Sequence, residues 1–87
     1  MEGSSHIASD VLARYAGDAA TEVAGVTGLV GRHPVRVEGD RVELHLGVAW
    51  GTSIPSVAEK VQQRVAEYLA RMADVSPAVD VVIEEVN

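Results

Sequence analysis

Eighty-seven residues, 47% of them hydrophobic, suit a single globular domain and leave no room for a second core. Thirteen acidic side chains against seven basic ones give a net charge of −6, the wrong sign for a phosphate-binding face, so no nucleic-acid partner is expected. The chain has no cysteine for disulfides or thiolate chemistry and no Phe, which leaves an aliphatic core with Tyr15, Trp50 and Tyr68 as its only aromatics.

Residues 1–6 read as a flexible tail on one domain covering 1–87. Their polar, acidic composition lacks the pattern of a signal peptide, and no apolar run reaches bilayer length. A cytoplasmic protein without direct membrane insertion is expected. The first element is a helix over Ser9–Ala24. Ser9 is a candidate N-cap, Asp10 favours the positive end of the helix dipole, and Val11, Leu12, Tyr15, Ala16, Ala19, Ala20 and Val23 make one apolar stripe. Gly25 is a helix stop, and Gly28 and Gly31 predict an irregular segment after it.

A short strand is predicted over His33–Glu38, with Pro34 marking it as an edge. Gly39-Asp40 reads as a two-residue hairpin turn. The long strand that follows, Arg41–Trp50, alternates strictly: Val42, Leu44, Leu46, Val48 and Trp50 on one face, Arg41, Glu43, His45, Gly47 and Ala49 on the other. Thr52 and Ser53 can cap a second helix over Ile54–Ala73, with Pro55 in its first turn and a stripe of Ile54, Val57, Val61, Val65, Tyr68, Leu69 and Met72. Ser76-Pro77 ends it. The last strand, Ala78–Val86, places Val79, Val81 and Ile83 in phase.

The fold class is therefore α+β in the order α-β-β-α-β, with two helices packed on one face of a three-stranded sheet. A right-handed crossover through the second helix makes the last strand parallel to the long one, which is expected at the centre.

No catalytic, metal or cofactor-binding residues are predicted. His33 and His45 lack ligand-type partners at i+3 or i+4, and His6 has only Asp10, so no zinc site is expected. Glu84 and Glu85 adjoin on a strand and are expected on opposite faces, unable to flank one substrate atom. Ser53 lacks the glycine pattern of a nucleophile elbow. Gly28-Leu29-Val30-Gly31 matches a GxxG loop, so a KH-like nucleic-acid-binding domain is the alternative function, although here the loop follows one helix and precedes a strand. Trp50 reads as a lid over the core, with a partner contact as the other reading. Val82 and Val86 are expected on the uncovered sheet face beside Gly47 and Ala49. Trp50, Val82, Val86 and Ala49 are thus the candidate interaction residues.

The residues from Ile7 onward resemble the alkaline shock protein family of Gram-positive envelope stress response proteins. The shared features are Ile7, Val11-Leu12, Ala19-Ala20, Glu22-Val23-Ala24-Gly25-Val26 and Gly28-Leu29, then the strand Val42–Val48. Trp50-Gly51, Ser53-Ile54-Pro55, Val61-Gln62, Val65 and the closing strand Val79–Ile83 follow in the same order. Trp50 stands where Tyr is commoner, and the charged tails of many members are missing. The resemblance implies a non-enzymatic cytoplasmic scaffold in cell envelope homeostasis. It implies a homo-oligomer held at the membrane through a membrane-anchored protein partner. The element order is also similar to ring-building domains of secretion and sporulation machines.

Overall fold

The computed structural model describes the backbone of residues 2–87 and the side chains of residues 9–87. The chain forms α1 (Glu2–Thr21), β1 (Val26–Leu29), β2 (Val35–Glu38), β3 (Arg41–Val48), α2 (Ile54–Ala73) and β4 (Ala78–Val86). The predicted α+β class holds, as do the bounds of α2 and β4. Helix α1 starts earlier than expected, so Ser9 lies inside it and is not its N-cap. The side chains of His6 and Ile7, and the tail expected over residues 1–6, fall where side chains are not described. Helix α1 also ends before Ala24. The Thr21 hydroxyl donates back to the Gly17 carbonyl at 3.1 Å, a bond that loosens a helix, and Gly25 adopts φ 97°.

The sheet has a fourth strand that composition concealed. β1 forms across Gly28 and pairs antiparallel with the upper half of β3, from Val26↔Val48 to Leu29↔Leu46. β2 pairs antiparallel with the lower half, from Val35↔Leu44 to Glu38↔Arg41. Both strands occupy one side of β3 and act as a single interrupted edge. Between them the chain leaves the sheet at Val30, whose N–H donates to the His45 carbonyl at 2.9 Å. It returns at Pro34, whose carbonyl accepts from the His45 N–H at 2.8 Å. β4 lies on the other side of β3 and parallel to it, so β3 is central as its patterning predicts.

Both helices cover one face. Val42, Leu44, Leu46 and Val48 from β3 are buried there against Val57, Val61, Val65 and Leu69 of α2 and Ala16, Ala19 and Ala20 of α1. The alanines let the helices approach closely, and the Tyr15 and Tyr68 rings close the seam edge-to-face at 5.7 Å. Leu46 and Val65 are both fully buried, so each contributes about 1.5–3 kcal/mol of transfer free energy. Val11, by contrast, lies outside the core.

A bulge interrupts the pairing of β4. Ile83 pairs with Leu46 and Glu85 with Gly47, which leaves Glu84 as an extra residue. Without it, Glu85 would pair with Val48 and point into the helix-covered face. The bulge instead puts Glu84 and Glu85 on the same uncovered face, which corrects the expectation that they point to opposite sides. It also brings Val86 into phase with Val48 on the helix side. Val82, paired with His45, is on the open face, so Val82 and Val86 do not form a shared patch.

Candidate functional site

The open face of the sheet is polar, and several of its charges form solvent-exposed pairs within the domain. Arg36 approaches Glu38 at 3.6 Å, and Arg41 approaches Asp80 at 3.2 Å. His45 stands at the middle of β3 between two carboxylates: Nε2 lies 2.6 Å from Glu43 Oε2 and Nδ1 lies 2.6 Å from Glu84 Oε2. A carboxylate only accepts, so this geometry favours the imidazolium, in which both ring nitrogens donate. The hydrogen bond to Glu84, then that to Glu43, raises the His45 pKa above its ordinary value, and both outweigh the opposing effect of burial. Both nitrogens are thereby committed, and among the described residues no group of three or more His, Cys, Asp or Glu side chains could hold a metal ion.

Gly47 adjoins this cluster. Both strands flanking it are irregular at its level, with Thr27 unpaired in β1 and Glu84 unpaired in β4. Asn87 Nδ2 donates across the glycine to Thr27 Oγ1 at 2.8 Å. A Cβ on Gly47 would come within 2.7 Å of that same oxygen and 3.2 Å of Glu85 Cγ, which is why the position carries no side chain. His45 and Glu84 also border a shallow concavity of about 800 Å³, together with Arg32, His33, Arg36 and Glu38.

Trp50 occupies a different position from the one its phase predicts. β3 ends at Val48, two residues early, because the chain turns over Ala49–Thr52. The Thr52 N–H and hydroxyl both donate to the Ala49 carbonyl, at 3.3 and 2.6 Å, and Gly51 takes φ 91°. The Trp50 N–H donates to the Asn87 carbonyl at 2.7 Å. Trp50 therefore projects from a hydrogen-bonded turn and is 83% exposed, which overturns the lid reading and leaves the partner-contact reading. Ile54 and Val86 are exposed large apolar residues at the same end of the domain. Ala49 is half-buried in the turn. Ser53 is the N-cap of α2 through its backbone alone, without a side-chain cap bond.

The four candidate interaction residues are thus not brought together: Trp50, Ala49 and Val86 lie at the upper end, and Val82 lies alone among charges. The GxxG glycines fall at β1 and the excursion after it, between two strands. Sequence reasoning missed the His45 cluster. The β3 alternation places Glu43 and His45 on one face, but Glu84 joins them only through the bulge.

The same architecture occurs in solved structures of MamM CTD variants. One aligns at a TM-score of 0.62 and 19% identity over 87% of this chain and 81% of that one. A second gives 0.58 and 21% over 93% and 96%. A nickel form of a third gives 0.56 and 18% over 87% and 96%. At these identities the likeness establishes the fold. No family model and no curated protein matches the chain. None of the comparisons bears on the alkaline shock resemblance. Among the described residues, no helix is long and apolar enough to cross a membrane.

Proposed function

We propose that this domain is a non-enzymatic, cytoplasmic assembly module of the envelope stress type, which self-associates and docks to a membrane-anchored protein partner. The observation that carries this reading is Trp50, a large apolar side chain held in solvent by a turn with three backbone-anchored hydrogen bonds. Burying a Trp against a partner withdraws roughly 150–250 Å². At about 25 cal/mol per Å² that contributes about 4–6 kcal/mol before ordering costs, and the rigid turn keeps those costs low. The alkaline shock motifs around this turn, Trp50-Gly51 and Ser53-Ile54-Pro55, support the same reading.

The test is retention from detergent-solubilised membranes of the native cell, comparing the natural chain with Trp50→Ala. A specific membrane protein held by the first and lost from the second, with unchanged thermal melts, is the expected result. Equal retention by both, or no membrane protein on either, refutes the docking role. Tight, salt-sensitive binding of single-stranded RNA would favour the KH-like alternative instead.

A further inference from the structure

The sheet has two outer edges of opposite chemistry. Among the described residues β1 and β2 pair only with β3, and so does β4. Strand β4 carries Asp80, Glu84 and Glu85, and no Lys, Arg or His follows Arg71 in the chain. The opposite edge carries Arg32, His33 and Arg36 against a single acid, Glu38, all exposed. Arg36 already approaches Glu38 and Asp80 already approaches Arg41, both in solvent-exposed pairs that can be shared with a neighbour.

The registers set these groups at matching heights. Arg36 and Asp80 are both level with Glu43, Val35 and Val81 with Leu44, and Val37 and Val79 with Val42. The excursion carrying Arg32 and His33 leaves and rejoins the sheet at His45, the residue bonded to Glu84. A second copy placed edge to edge in the same orientation would pair its β2 antiparallel with β4. Arg36 would then lie opposite Asp80, with valines opposite valines on the helix side. Arg32 and His33 would stand near Glu84 and Glu85.

Pairing β4 with another β4 is disfavoured, because a two-fold centred on Val82 sets Asp80 opposite Glu84 and like charges across strands repel. Free strand edges are templates for another chain, and here charge selects which edge is accepted. We infer that the chain associates head to tail with copies of itself, the acidic β4 edge of one against the basic β2 edge of the next. Such a heterologous contact does not close at two subunits and continues into a ring or filament. The inference rests on the self-association reading and specifies its surface.

Light scattering behind a sizing column, over a concentration series, tests it. The natural chain should gain mass with concentration, and should lose it in roughly 1 M salt, where the Debye length falls to about 3 Å. Arg36→Glu and Asp80→Lys should each weaken association by about tenfold or more. An equimolar mixture of the two should recover it, because the reversed charges attract. Circular dichroism melts establish that each variant is folded; if Asp80→Lys is not, Asp80→Asn replaces it for the weakening measurement and Glu84→Lys for the mixing measurement. Association of the natural chain that neither variant affects, or that mixing fails to restore, overturns the edge pairing and leaves self-association standing. A strict monomer at every concentration overturns both.

Discussion

If Glu84 is a bulge residue, removing one of the two adjacent glutamates should leave every other pair of β4 in register. Ile83 would stay opposite Leu46, the remaining glutamate opposite Gly47 and Val86 opposite Val48. The loss is the His45–Glu84 bond. The Glu84 side chain is 42% exposed, so the surface value of about 0.2–1 kcal/mol applies. Restored ladder bonding offsets part of that, and the net change should lie within about 1 kcal/mol. Deleting Val82 instead moves every following residue by one. Ile83 then faces the open side, and Glu84 takes the place opposite fully buried Leu46. Losing about half the transfer free energy of an isoleucine costs about 1 kcal/mol. A carboxylate unpaired on the covered face costs about 1–3 more. The total of about 2–4 kcal/mol is a large share of the roughly 4–13 expected for a domain of this length. The assay is urea unfolding followed by far-UV circular dichroism, because exposed Trp50 reports poorly on unfolding. Equal destabilisation by the two deletions would show that Glu84 is an ordinary paired residue.

Leu46→Asp should leave little folded protein, and a cooperative melt like that of the natural chain would contradict the fully buried position of Leu46. Gly51→Val should cost at least about 1 kcal/mol, read as a lowered urea midpoint. The cost is purely conformational, because φ is 91° and no atom lies within 4 Å of an added Cβ; an unchanged midpoint would refute it. His45 makes stability depend on pH. Its folded pKa is raised, so its contribution is complete below the unfolded value of about 6.5 and is lost as pH rises through the higher folded value. The stability difference between the natural chain and His45→Gln should therefore shrink as pH rises above about 6.5, and a constant difference would place both carboxylates out of reach.

The legible parts of the fold are those where one strong local signal decides. The four alternating apolar residues of β3 and the stripe of α2 from Val57 to Leu69 mark the buried faces, whereas Ile54 and Met72 at its two ends are exposed; Ser76-Pro77 marks the helix end. β1 was illegible because its four residues include Gly28, at φ 159°, and its pairing relies on β3 and not on its own propensity. Trp50 was placed wrongly because strand phase was extended through Ala49, where backbone bonds to Gly25 and Thr52 already bend the chain. Tertiary pairing decided both cases.

The bulge in β4 also hides the site from the sequence pattern. A strand alternating from Val79 through Ile83 must put one of two consecutive glutamates into the covered face unless a residue is looped out. The chain loops out Glu84, and the extra carboxylate needs a partner on the open side, which His45 supplies at 2.6 Å. Looping out Glu84 also places Glu85 level with Gly47, where an added Cβ would come 3.2 Å from Glu85 Cγ, although the contact that excludes it is Thr27 Oγ1 at 2.7 Å. His45 and Glu84 are one answer to a phase conflict at the end of β4. His45 thus holds the looped-out Glu84 on the open face, and its loss of a proton as pH rises weakens that bond. If the acidic edge of β4 is the assembly surface, His45 lies one strand behind it and holds one of its three carboxylates, Glu84.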